Sequence, residues 1–125
     1  MDTKRFLKGF LIFSGIFEIF LAILFIFFMD FLVRGMGLSS VPLFSQMAGV
    51  ELLILGFLLV YCTKDIEKYV VIPITSIIFR FIMAGVEIIN LLLFPQLAIF
   101  LIPGSTYDIV SSLLTLFLLK KCDYI

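Results

Sequence analysis

Five charged side chains interrupt the long apolar stretches of this sequence, and their types could support chemistry. They are Glu18, Glu51, Arg80, Glu87 and Asp108. Charged groups are costly to bury among apolar side chains or lipid, so they usually mark a functional site or a structural ion pair. Arg80 and Glu87 stand seven residues apart, which is about two helical turns, so both fall on one face of a helix. The stretch around them is the leading candidate for a buried polar site.

The balance of charge within this set points to protonation or ligand binding. Four carboxylates accompany one guanidinium, so three negative charges stay uncompensated if every acid ionises. At least one acid is therefore expected to be protonated, to face water or to bind a cation. Arg80 is predicted to pair with Glu18 near the membrane midplane, or with Asp108 or Glu51 from a neighbouring helix. Three interpretations stay open: the pair only fastens the helices together, the cluster binds a proton or a ligand, or it performs catalysis.

The composition disfavours metal and redox chemistry. The sequence has no histidine, and its two cysteines, Cys62 and Cys122, do not form a CxxC pair. This combination cannot build the usual zinc site, and it lacks both the usual haem ligand and the Glu-x-x-His units of di-iron bundles. No cofactor and no metal is therefore expected. The nine basic and nine acidic residues cancel, which argues against nucleic acid as a partner.

The composition also indicates which elements must position these charges. Of the 125 residues, 63% are hydrophobic and the mean hydropathy is +1.29, whereas soluble domains are about 45–50% apolar. The lipid bilayer is therefore expected to be both solvent and partner for this chain. Apolar stretches at about 10–29, 42–62, 69–94 and 105–119 predict four transmembrane helices in a single domain, 1–125. The predicted fold class is an all-α membrane protein, a four-transmembrane-helix bundle.

Local signals predict where the helices begin. Ser40 before Pro42 fits a helix start with the serine as cap and the proline in the first turn. The run Ser105–Asp108 has capping-box spacing, with Asp where Glu is commoner, and predicts the start of the fourth helix. Since that helix would be only about 22 Å long, either the preceding apolar segment completes the crossing or the helix starts below the membrane surface. Residues 95–104, bracketed by prolines, are expected to form a lipid-facing or re-entrant connection, or to extend the third helix beyond a kink.

The distribution of basic residues predicts the orientation. They concentrate near the N-terminus, in the loop at 63–68 and at the C-terminus, whereas the other two connections contain only Arg34. By the positive-inside rule, both termini and the middle loop are predicted to be cytoplasmic. The expected location is the cell inner (plasma) membrane, with four crossings.

A short internal similarity suggests how the helices could be related. Gly15-Ile16-Phe17-Glu18 resembles Gly85-Val86-Glu87, and Pro42 and Pro103 each lie where a following helix opens. Two helix pairs of this kind would be parallel repeats related by an axis along the membrane normal. Chance similarity within apolar sequence of low diversity is the alternative.

Each predicted helix has one stripe of polar or small residues, and all four stripes are expected to face inward because polar faces avoid lipid. In the second span the stripe is Ala48, Glu51 and Leu55, with Gly49 and Gly56 beside it as close-packing points. This arrangement would bring all five charged side chains into one polar core.

Several segments carry a resemblance to a known family. They are Leu43–Gly49, Gly56–Tyr61 running into Thr63-Lys64-Asp65, the basic residue Arg80, and Asp108 followed by two apolar residues. Through these segments, about residues 42–122 resemble an uncharacterised family of small four-helix bacterial inner-membrane proteins. Members of that family often have tryptophan shortly after the aspartate, where this chain has Ser111-Ser112. The resemblance implies a four-helix bundle and points to Arg80 and Asp108, and it implies no particular reaction.

The function that these features predict is non-enzymatic. The chain is expected to bind a small ligand, a lipid or a proton at the cluster of arginine and acids, or to act as an accessory subunit of a larger membrane complex. The alternative is a small proton-coupled transporter that works as a homo-oligomer, since four short helices rarely enclose a full permeation path. A membrane enzyme acting on a lipid or quinone is the third possibility.

Overall fold

The computed structural model describes residues 2–125, and five α-helices account for most of them. They are α1 (Thr3–Phe27), α2 (Met29–Gly35), α3 (Pro42–Cys62), α4 (Val71–Leu93) and α5 (Ala98–Lys121), with a 3₁₀ turn at Pro95–Leu97 before the last helix. Four of these elements, α1, α3, α4 and α5 with its preceding turn, are long and apolar enough to cross a membrane. The predicted fold class is confirmed: the described chain is all-helical, consistent with a four-helix membrane bundle.

The chain divides into two compact units. One contains Gly9–Lys64, which includes most of α1 together with α2 and α3, and is called the α1–α3 unit. The other contains the first residues up to Lys8 together with Asp65–Ile125, and is called the α4–α5 unit. Large apolar side chains such as Phe20, Phe57 and Ile82 are exposed on the helices of both units, as a lipid-facing surface requires.

Glycines bring α1 and α3 into backbone contact within the α1–α3 unit. A Cβ atom placed on Gly56 would lie 2.6 Å from the carbonyl oxygen of Gly15, and one on Gly49 would lie 2.9 Å from that of Ala22. Gly15 and Ala22 are seven residues apart, as are Gly49 and Gly56, so the two pairs match along antiparallel helices. Small residues at such positions let membrane helices gain packing contacts that larger side chains would prevent.

The α4–α5 unit is built around the packing of α4 against α5. Their mutual orientation follows from two contacts: Arg80 reaches Ser111, whereas Glu87, seven residues further along α4, lies against Gly104, seven residues earlier on α5. The two helices are therefore antiparallel and keep a constant register over two turns.

One end of the α4–α5 unit gathers three parts of the chain that are distant in sequence. A pocket of about 500 Å³ is lined by the start of α1, by Glu67 before α4, and by Lys121–Tyr124 at the end of α5. The amino group of Lys4 lies 5.5 Å from the centre of the Tyr124 ring. The N-terminal segment, the middle loop and the C-terminal segment thus meet at one end, as the predicted topology requires.

The fourth long helix begins earlier than predicted. It begins at Ala98, with Pro103 inside it, so the run Ser105–Asp108 is not a capping box. The hydroxyl groups of Ser105 and Thr106 instead donate backwards to the carbonyl oxygen of Ile102, at 3.2 and 2.8 Å. This back-bonding satisfies the hydroxyls inside a continuing helix. Residues 98–104 therefore form the first turns of α5 and complete the crossing.

The other predicted cap also differs in detail. α3 begins at Pro42 as expected, but its N-cap residue is Val41, which is extended and forms no side-chain cap. Proline disfavours helical geometry in the residue before it, so Val41 stays extended and Ser40 lies one position too far away to cap. The predicted loop at 30–40 differs as well, because most of its first half is the short helix α2.

Candidate functional site

The candidate site lies where α4 and α5 face each other, and it follows from the spacing of small and polar residues on both helices. On α4 the buried positions include Ser76, Arg80 and Ala84, and on α5 they include Ser111, Ser112 and Thr115. Residues three or four apart share one face of a helix. Each helix therefore presents a narrow polar stripe to its neighbour, with apolar side chains on either side.

Arg80 is the centre of this site. Only 2% of the residue is exposed, and its Nη1 donates a hydrogen bond of 2.6 Å to the hydroxyl oxygen of Ser111. Its guanidinium carbon lies 5.2 Å from the centre of the Tyr107 ring, and cations are attracted to the face of an aromatic ring at this distance. The charge of Arg80 also interacts with that of Asp108. Three residues within about one turn of α5 thus hold the guanidinium.

The hydroxyl of Ser111 links the arginine to the backbone of α5. It donates a hydrogen bond of 3.4 Å to the carbonyl oxygen of Asp108, so its lone pairs are available to Arg80. Thr115 in turn donates a hydrogen bond of 2.7 Å to the carbonyl oxygen of Ser111. This local network fixes the direction from which the guanidinium meets α5.

Two acids meet beside the arginine. The carboxyl groups of Glu87 and Asp108 lie close enough for their charges to interact. The Oε2 atom of Glu87 is buried and has no hydrogen-bond partner within residues 2–125. The order along the interface is therefore Arg80, then Asp108, then Glu87.

Gly104 makes room for the carboxyl group of Glu87. A Cβ atom built on Gly104 would lie 3.0 Å from Oε2 and 3.2 Å from Oε1 of Glu87. Such distances are tighter than ordinary van der Waals contact, so a side chain at position 104 would push the carboxyl group away. The absence of a side chain on α5 thus lets the acid of α4 stay against the helix.

Within the α4–α5 unit, the structure brings together three of the predicted site residues, Arg80, Glu87 and Asp108. Glu18 belongs to the α1–α3 unit and is buried, with 2% of its surface exposed. Glu51 on α3 is exposed, so its predicted inward orientation is wrong. The reason is the glycine contact with α1: Gly49 and Gly56 face that helix, and Glu51 lies about 200° around the helix from Gly49. Close backbone packing, not the acid, sets the rotation of α3.

Sequence reasoning missed two members of the site. Tyr107 was not among the predicted site residues, yet its ring lies against Arg80 inside α5. Its spacing of four residues from Ser111 is the signal that could have placed it. Gly104 was assigned to a connection, and its contact with Glu87 depends on the register between two helices, which no local pattern reveals.

The membrane-spanning parts of α4 and α5 contain few charged side chains. Between residues 71 and 119 the sequence has one basic residue, Arg80, and two acids, Glu87 and Asp108. Among residues 2–125, no group of three or more His, Cys, Asp or Glu side chains is placed to hold a metal ion. The chemistry of the site is therefore that of one guanidinium and a carboxyl pair.

Comparison with protein-family models, with curated proteins and with solved structures finds no significant match to this chain.

Proposed function

We propose that this chain is a non-enzymatic, multi-pass inner-membrane protein that binds and releases a proton at the Glu87–Asp108 pair. The observation that carries the proposal is the proximity of the two carboxyl groups at the α4–α5 interface, where a single guanidinium also lies. Two ionised carboxylates that lie close together repel each other, and a proton bound to one of them removes that repulsion.

Charge counting supports the same conclusion. The membrane-spanning part of the α4–α5 unit contains two acids and one basic residue, so at least one negative charge is in excess if both acids ionise. An uncompensated charge is costly at membrane depth, and acids of this kind are typical of proton-handling sites. A proton is the smallest ligand that removes the excess, and it needs no cavity. The unpartnered Oε2 of Glu87 marks the acid that is less tightly held.

The hydrogen bonds of the site favour binding over catalysis. The Ser111 hydroxyl is held between Arg80 and the Asp108 carbonyl, so it does not contact a general base through its own proton. A serine nucleophile requires such a base within hydrogen-bond reach. The side chains around Arg80 therefore hold charge in place.

The proposed orientation has both termini and the middle loop in the cytoplasm. Seven basic residues lie in these segments: Lys4, Arg5, Lys8, Lys64, Lys68, Lys120 and Lys121. The pocket that gathers Lys4, Glu67 and Lys121 supports a common side for all three segments, and the excess of lysine and arginine favours the cytoplasmic side.

The proton site is tested by infrared titration of the full chain in lipid nanodiscs. The C=O stretch of a protonated carboxyl group is followed as the pH is lowered, with ¹³C-labelled glutamate to separate Glu from Asp. We expect wild-type protein to show a titrating carboxyl band that is lost in Glu87→Gln, because the amide retains the shape but cannot exchange the proton. Asp108→Asn is expected to alter or abolish the same band, since it removes the partner.

Glu51→Gln is the matched control, because it removes one acid from an exposed position of another membrane helix. It should leave the band unchanged. A band that survives both Glu87→Gln and Asp108→Asn but disappears in Glu18→Gln would place the exchangeable proton on α1 and refute the proposed site.

A further inference from the structure

The short helix α2 has two faces of opposite character. It spans Met29–Gly35 and follows α1 after a break at Phe28, whose φ of −122° and ψ of −21° depart from helical values. At about 100° per residue, Phe28, Phe31 and Leu32 fall on one side of the segment. Asp30 falls on the opposite side and forms an ion pair of 3.2 Å with Arg34, which lies between the two sides. The segment is therefore amphipathic.

The apolar face of α2 is not covered by the rest of the described chain. Phe31 is 77% exposed and Phe28 is 57% exposed, and α2 contains no buried residue. An aromatic pair so exposed would be unfavourable in water. These two rings continue the lipid-facing surface of α1, on which Phe20, Ile23 and Phe27 are also exposed.

The length of α1 places α2 at a membrane surface. The apolar part of α1, Gly9–Phe27, rises about 28 Å, which matches a hydrocarbon thickness of about 30 Å. Phe28 therefore lies at the boundary of the hydrocarbon core opposite to the start of α1, and α2 begins at the next residue. α2 then ends in a Schellman turn, in which the N–H of Leu38 donates to the carbonyl of Val33 at 3.3 Å and Gly37 has φ +78°. This turn directs the chain back towards α3.

We propose that α2 lies within the headgroup–acyl boundary of the bilayer, with Phe28 and Phe31 inserted into lipid and the exposed Arg34 side of the Asp30–Arg34 pair directed to water. Amphipathic helices with aromatic residues on one face bind membranes in this way. Because Asp30 and Arg34 neutralise each other, insertion depends on the aromatic rings and not on anionic lipid. The partner of this surface is therefore the lipid itself, of either zwitterionic or anionic composition.

The chain contains no tryptophan, so Phe31→Trp introduces a unique fluorescent reporter. The full chain carrying this substitution is reconstituted into phosphatidylcholine vesicles whose acyl chains are brominated at a shallow or at a deep position. We expect strong quenching by shallow bromines, weaker quenching by deep bromines, and protection from iodide in the water. Phe28→Trp provides a second reporter on the same face if the first variant does not fold.

One reporter outside the apolar face serves as the control: Ser39→Trp lies in the exposed connection that follows α2. Ser39→Trp should be quenched by iodide and not by brominated lipid. Replacing part of the phosphatidylcholine with phosphatidylglycerol should leave the depth of Phe31→Trp unchanged.

The proposal is overturned if iodide quenches Phe31→Trp as strongly as Ser39→Trp. It is also overturned if the tryptophan emission depends on the protein-to-lipid ratio while lipid bromines have no effect, because that result would assign the surface to a second copy of the chain. A depth that changes with the anionic lipid fraction would refute the part of the proposal that concerns the Asp30–Arg34 pair.

Discussion

Two adjacent serines on α5 offer a direct test of how Arg80 is held. Ser111 accepts a hydrogen bond of 2.6 Å from Nη1 of Arg80. Ser112 is also buried, but its hydroxyl makes no hydrogen bond to any residue that the structure describes. The substitutions Ser111→Ala and Ser112→Ala remove the same atom from neighbouring positions of one helix. They differ in whether that atom is hydrogen-bonded: the Ser111 hydroxyl contacts the guanidinium and the Asp108 carbonyl, whereas the Ser112 hydroxyl has neither contact.

The expected effects have opposite signs. Hydrogen bonds to charged groups contribute about 1.5–3 kcal/mol in soluble proteins, whereas those between membrane helices average nearer 0.6 kcal/mol because the unfolded chain finds other partners. Ser111→Ala should therefore lower the free energy of unfolding by about 1–2 kcal/mol. Ser112→Ala removes a buried hydroxyl without a partner, so it should be neutral or should stabilise the protein by up to about 1 kcal/mol.

The measurement is equilibrium unfolding of the purified chain in mixed detergent micelles, followed by circular dichroism. Ser111→Thr serves as a rescue variant, since it restores an acceptor oxygen at the same position. If Ser112→Ala destabilises the protein as much as Ser111→Ala, the loss reflects packing at this face of α5. The contact with Arg80 would then not be the source of the stability.

Further predictions concern the helix contacts and the helix ends. Gly56→Ala should destabilise the chain by about 2 kcal/mol or more, because the new methyl group would meet the backbone of Gly15. Gly85→Ala is its control: nothing lies within 4 Å of that position, so it should be neutral or stabilising by up to about 1 kcal/mol. Asp123→Gly should raise stability by up to about 1 kcal/mol, because Asp123 has φ +59° at the end of α5. Gly37→Ala should lower the stability by a similar amount, because Gly37 has φ +78° and alanine disfavours a positive φ. The free energy of unfolding in detergent, measured for each variant, checks both the glycine pair and the pair at the helix ends. Equal effects of Gly56→Ala and Gly85→Ala would contradict the close contact of α1 with α3.

Much of the fold was predictable because it depends on hydrophobicity along the chain. The four long helices were expected from apolar stretches of membrane-spanning length, and the structure confirms them. Where the prediction was wrong, it relied on a local motif. The Ser105–Asp108 run resembles a capping box, yet the helix continues through it, since the hydroxyls bond to Ile102 within the same helix.

The candidate site was predicted in part. Arg80, Glu87 and Asp108 stood out because each interrupts an apolar helix, and they do lie together at the α4–α5 interface. Glu51 stood out for the same reason but is exposed. An unusual residue in a helix does not reveal which way that helix is rotated. The rotation of α3 is set by the contact of Gly49 and Gly56 with α1, and the energy of that backbone contact outweighs the preference of one acid for the interior.

The sequence by itself determined that this chain lies in a membrane, that four helices are long enough to cross it, and that few charges are placed within them. These properties depend on the free energy of transferring side chains from water to lipid. That free energy is determined by the composition of each segment separately. Only the tertiary structure decided which charges meet. The register of α4 against α5 places Ser111 and Tyr107 on the guanidinium and Gly104 beside Glu87. That register results from packing between two surfaces, and neither helix contains the information alone.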